Sequence, residues 1–187
     1  GRDSIATLCG DPVCWNESNQ VSSDTIRVYI KNGEVDYLHG IGNAIAIKQE
    51  GSTEFDQLAG KEMMAYVRDG DIYLVDVQGN AETVFYPRED DGSYVGLNKT
   101  QSSFVKLFLE NRQIHHILFT TSTTGVMIPM DQATDADKYL ATFFWAEQER
   151  PHKPGDIFLH PTRTPRPDAT IVSASTDDEE EEEEYEE

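Results

Sequence analysis

A glycine-asparagine-alanine triplet occurs at Gly42-Asn43-Ala44 and again at Gly79-Asn80-Ala81, and a tight-turn dipeptide precedes each copy, Asn32-Gly33 and Asp69-Gly70. One shift of 37 residues carries both features together. Both dipeptides tolerate positive φ at the two central positions of a tight hairpin turn. Around them the apolar residues alternate with a period of two, as in strands with two different faces. Ile26, Val28 and Ile30 lead into the first turn, and Met63, Ala65 and Val67 lead into the second. Val105, Leu107 and Leu109 lead into a weaker third copy at Asn111-Arg112, where Arg112 replaces the turn glycine and Thr121 stands in the place of Gly79. Three copies of strand, turn, strand and kink predict a repeated β architecture.

Flanking segments extend this pattern. Ile5 to Trp15 reads as a first strand pair broken at Asp11-Pro12, and Ile41 to Ile47 as a strand with Ile45 and Ile47 on one face. Gly51 to Thr53 and Pro87 to Gly92 read as polar loops, and Gly125 to Pro129 as the last strand. The period then changes. Thr134 is placed to cap a helix, with Asp135 and Asp137 in its first turn. Tyr139, Leu140, Phe143 and Phe144 would form its apolar stripe, and Pro151 would stop it. The spacing thus predicts a β module over 1–133, a helix of about three turns over 134–150 that caps an open end of the β layers and covers a sheet edge or core that would otherwise be wet, and a proline-rich linker with a disordered acidic tail over 151–187.

The net charge of −20 is divided between that tail and the rest. Ten acids lie between Asp177 and Glu187, which leaves about −10 on the body. An acidic body disfavours nucleic acid as a partner, and also electrostatic docking on anionic membranes. No run approaches the ~20 apolar residues of a membrane span. The start at Gly1-Arg2-Asp3, without a signal-peptide pattern, reads as a mature product or a fragment of a longer precursor. Cys9 and Cys14, with four residues between them across a turn, are open to two readings: a bridge in an oxidising compartment, or two buried thiols.

No catalytic or metal motif emerges. His115-His116 would point to opposite faces of a strand and so could not chelate one ion. The acids concentrate in turns, where solvation accounts for them, and no nucleophile elbow, phosphate loop or dinucleotide fingerprint is present. Neither an enzymatic activity, nor a cofactor, nor a metal is expected. The alternating face itself remains: Ile26, Val28, Ile30, Met63, Ala65, Val67, Val105, Leu107 and Leu109. Periodicity alone fits either a closed core or a partly open groove for lipid acyl chains, in which methionine would make an adaptable lining.

A set of ordered segments bears on that choice. Gly10-Asp11-Pro12-Val13 with Trp15, Asn19-Gln20-Val21 with Asp24-Thr25-Ile26, and Phe55-Asp56-Gln57 through Gly60 are followed by Val75-Asp76-Val77, Gly79-Asn80-Ala81, Gly96-Leu97-Asn98, Phe144-Trp145 and Arg150-Pro151. In order and spacing, over residues 4–151, these resemble the OstA-like, LptA-type lipopolysaccharide-transport proteins of the Bacteroidetes type. The resemblance implies an all-β fold, a twisted jelly roll of two facing antiparallel sheets. It also implies a location in the periplasm or cell envelope, lipopolysaccharide or lipid A as partner, and stacking with other such modules through sheet edges. The nine apolar residues become lipid-groove candidates by inward parity. The alternative is an envelope scaffold that docks proteins and binds no lipid. Two departures stand out: the predicted helix and acidic tail suggest a chain end with one edge capped, and Lys31, Lys48, Lys61, Arg68 and Arg88 are too scattered to grip lipid phosphates together.

Overall fold

The computed structural model describes residues 3–16 and 18–153. Their strands are β1 (Ser4–Cys9), β2 (Val13–Asn16), β3 (Asn19–Ser22), β4 (Thr25–Lys31), β5 (Glu34–Gln49), β6 (Phe55–Arg68), β7 (Asp71–Phe85), β8 (Leu97–Glu110), β9 (Gln113–Thr120) and β10 (Thr124–Ile128). All pair antiparallel in one sheet, with β1-β4-β5-β6-β7-β8-β10 as its main path. The chain is all-β, as the period-two alternation dictates.

The recurring kink is a corner. Gly42 and Asn43 in β5, and Gly79 and Asn80 in β7, all have positive φ, and so do Thr121 and Ser122 between β9 and β10. At each of the first two sites the register slips against both neighbours, the kinked strand carrying one residue more than the stretch it faces. Such bulges bend the strand and deepen its twist. The corners therefore line up across the sheet and divide it. On one side β4 pairs with the first half of β5; on the other β3 pairs with its second half. β9 and β10 divide the two ends of β8 in the same way. We call the side with the tight turns the hairpin half and the other the strap half.

Each tight turn has both central residues at positive φ, including Asn111 and Arg112, where no glycine helps. Each is also followed by a bulge at the same place: Asp36, Tyr73 and His115 are the extra residues on the returning strands. At the corner line Gly60 serves close approach. A Cβ there would lie 2.4 Å from Val77 Cγ1, and Val77 is fully buried. Gly60→Ala is therefore expected to cost about 1–3 kcal/mol by overpacking, read as a lower urea midpoint. An unchanged midpoint would show that the corner has slack.

Several sequence expectations need correction. The three-turn helix over 134–150 does not form. The described helix, α1, is the single turn Asp135–Lys138, and a 3-10 turn follows at Glu147–Glu149. Thr134 does cap α1, its backbone N–H and hydroxyl both donating to Asp137 Oδ2. Tyr139 is already extended. Between them the chain runs as a strap across a sheet face, where it covers core, the second of the expected alternatives, and not an edge or an open end. A helix of this length is marginal by itself, and here the sheet supplies better partners for its backbone and its rings. β1 and β2 break at Asp11-Pro12 as expected, yet they do not pair with each other: β1 joins β4 and β2 joins β3. The cysteines are free. Cys9 is exposed rather than buried, and Cys14 is half-buried, its thiol pushed up by burial. The expected linker and acidic tail lie, beyond residue 153, outside the described residues.

Candidate functional site

Cross-strand registers place the nine candidate residues in three rows on one face of the hairpin half. The row nearest the corner runs Ile26–Gly40–Met63–Val77–Val105–Phe119, and the next Val28–Leu38–Ala65–Val75–Leu107–Ile117. Beside the turns the pairs Ile30–Val35, Val67–Ile72 and Leu109–Ile114 complete the face. The bulges preserve this parity up to the turn, because each lies on the returning strand. Ile26, Met63, Ala65 and Val105 are buried; Val28, Ile30, Val67, Leu107 and Leu109 are half-buried.

Residues of this face and of the strap half together line a cavity of about 220 Å³. Met63, Ala65, Leu107 and Leu109 line it, joined by Ile72, Val75, Ile117 and Phe119. Ile26, Val28, Ile30, Val67 and Val105 lie on the same rows but outside the lining. The strap half contributes Val21, Ala46, Leu58 and Thr83. Apolar residues of both halves also share one packed cluster centred on Val77 and Val105.

Farther from the corner the lining turns polar. Asn16, Asn19, Lys48 and Asp56 are successive cross-strand partners, and Asn98 partners Phe85 beyond them. All six line the cavity. The two cations of the lining are both engaged by carboxylates. Lys48 Nζ pairs with Glu50, and Arg112 Nε donates to Asp71 Oδ1 at 2.7 Å. Burial is the main force on Asp56 and pushes its carboxyl up to about 7, with Glu50 adding to the rise; the 2.9 Å bond accepted from the Tyr86 N–H opposes it, as do Lys48 and Arg88.

Strap-half strands read as apolar on both faces (Ile45-Ala46-Ile47, Leu58-Ala59) because both faces are covered. The cavity lies on one side. On the other, Ile45, Ile47, Phe55, Val84, Tyr86 and Leu97 pack beneath the strap's Leu140, Tyr139, Phe143 and Trp145. Ring contacts join Phe55 to Phe143 at 5.3 Å and Trp15 to Trp145 at 4.9 Å. Two glutamines hold the strap's backbone. Gln57 Nε2 donates to Lys138 O at 2.6 Å, and its Oε1 accepts the Leu140 N–H at 2.8 Å. Gln20 repeats this with Phe144 O at 2.5 Å and the Ala146 N–H at 2.7 Å. Each side-chain amide thus acts as a peptide group of a neighbouring strand. Lys99, Gln57, Gln20 and Trp15 belong to one transverse row, and the strap lies along it.

Reading the sequence by apolar parity missed these anchors and the polar row. A signal for the anchors was present: Gln20 maps onto Gln57 by the same 37-residue shift that relates the corners. Among the described residues the histidines offer nothing comparable. His115 and His116 are exposed, His116 lies against Phe108, and among the described residues no three His, Cys, Asp or Glu could hold a metal ion. Nor is any described helix long and apolar enough to cross a membrane.

No protein-family model matches the chain. No curated protein matches it at a significant level either.

Proposed function

We propose that this chain is a non-enzymatic lipid-binding module of the lipopolysaccharide-transport kind, acting in the periplasm or cell envelope. On this reading the bent sheet is a jelly roll whose two halves face each other, and acyl chains enter between them. The observation that carries it is the cavity's gradient: aliphatic walls from both halves, then a polar lip of asparagines and Asp56. A closed core also ends in polar residues at the water boundary, but it would not leave an aliphatic-walled space of this size behind them. Burying acyl chains there would gain about 0.8 kcal/mol per methylene.

A docking role in the same assembly draws support from β1. Among the described residues it pairs on one side only, with β4. All six of its residues are exposed, none is charged, and Ile5 is 59 % accessible. Such an edge invites strand addition from another module.

Native mass spectrometry of protein extracted gently from an envelope-containing source, against a delipidated control, tests the lipid reading. Lipid adducts that survive gentle desolvation are the expected result. Leu107→Asp puts a charge on the cavity wall at a half-buried position where the fold is expected to persist. It should weaken uptake of added lipid at least about tenfold, since a carboxylate there faces hydrocarbon. A chain that never carries lipid, but still self-associates through β1, would move the assignment to the docking scaffold.

A further inference from the structure

We infer that the ligand of this cavity is a single-chain amphiphile with an uncharged, hydroxyl-bearing headgroup. The inference rests on the lipid-binding part of that reading alone, and lipopolysaccharide, with several chains and phosphates, is not the molecule it assigns to the cavity. Size comes first. A cavity of ~150 Å³ lined by aliphatic side chains accommodates benzene, with six carbons. By that scale the ~220 Å³ here holds roughly nine carbons, the length of one acyl-chain segment. It falls below the ~300–1,000 Å³ usual for drug-sized ligands, and several chains side by side do not fit.

The lip decides the headgroup. Asn16, Asn19 and Asn98 each present an amide that both donates and accepts, and Asp56 adds a carboxyl group. That inventory matches hydroxyl groups, which also donate and accept. It suits phosphate less well, because the strongest partners of phosphate are donors that carry positive charge. The two cations at the lining, Lys48 and Arg112, already face Glu50 and Asp71. An incoming phosphate would meet those carboxylates and compete with them for both cations. Uncharged hydroxyls meet no such repulsion.

The experiment is a titration of the full chain with n-alkyl maltosides from hexyl to tetradecyl, each below its micelle concentration, followed by calorimetry. Matched n-alkyl phosphates and purified lipopolysaccharide are run in parallel. Maltoside affinity should rise about fourfold per methylene and level off near nine carbons. The matched phosphates should bind about tenfold more weakly, as expected for an anion that must compete with Glu50 and Asp71 for the cations they already hold. A slope that continues to tetradecyl would overturn the single-segment capacity. Phosphates that bind as tightly as maltosides, or lipopolysaccharide that displaces decyl maltoside at equal concentration, would overturn the headgroup assignment while leaving the lipid-binding reading in place. No heat from any of the three classes at two temperatures about 20 degrees apart, where the heat-capacity change of apolar burial would reveal binding, would overturn both.

Discussion

Replacing Gln20 and Gln57 together with leucine is expected to lower the unfolding free energy by roughly 4 kcal/mol or more, and to strip exchange protection from the Leu140 and Ala146 amides. Both glutamines are almost fully buried, at 0 % and 3 % accessibility. Each satisfies one backbone carbonyl and one backbone N–H of the strap. Leucine fills similar space but leaves four backbone groups without these partners, and an unsatisfied buried polar group costs about 1–3 kcal/mol. The strap can escape part of that cost by lifting off, which would expose Phe55, Tyr86 and Leu97. Hydrogen exchange separates the two outcomes. Protection lost only at Leu140 and Ala146 means local release; a general loss means that the strap is part of the cooperative core. Amides that stay protected in the double variant would show that the glutamines do not hold the strap.

The second large effect concerns pH. Asp56 keeps its proton in the folded chain up to about pH 7, whereas an unfolded aspartate releases it near 3.9. Between those values the folded state binds more protons than the unfolded state, so stability falls as pH rises. Its contribution is full below about pH 4 and gone above about pH 7, at most about 4 kcal/mol in all. Asp56→Asn keeps an oxygen for the Tyr86 N–H and removes the titration. Urea unfolding of both proteins at pH 4, 5.5 and 7.5 should show the variant gaining on the parent as pH rises. Glu54, Asp91 and Asp137 are held below the usual carboxylate range by hydrogen bonds from Thr53, Ser93 and Thr134, so they act in the opposite direction at acid pH. Because they are present in both proteins, the difference isolates Asp56. Parallel curves would mean that water reaches its carboxyl group freely.

Local chemistry made much of this chain legible. Asn32-Gly33 and Asp69-Gly70 take the positive φ that their residue types permit, and the repeated Gly-Asn pairs bend their strands where they were expected to. Period-two alternation placed Met63, Ala65, Leu107 and Leu109 on one face, and the registers agree with that parity. The helix failed for a reason that the segment itself does not contain. Tyr139, Leu140 and Phe143 have helical spacing, but Phe55, Gln57 and Gln20, more than 80 residues earlier in the chain, offer rings and amides to an extended backbone.

What the sequence determined by itself is the repeat: where the strands turn, where they bend, and which side chains share a face. These follow from φ preferences and from the two-residue period of a strand, and both act over a few neighbouring residues. Only the tertiary structure decided that the strap half is covered on both faces, that two glutamines act as strand surrogates, and that the apolar face opens into a cavity with a polar lip. Those outcomes depend on which distant backbone groups find partners when the sheet bends, and partner choice is settled by burial of the whole chain rather than by any one segment of it.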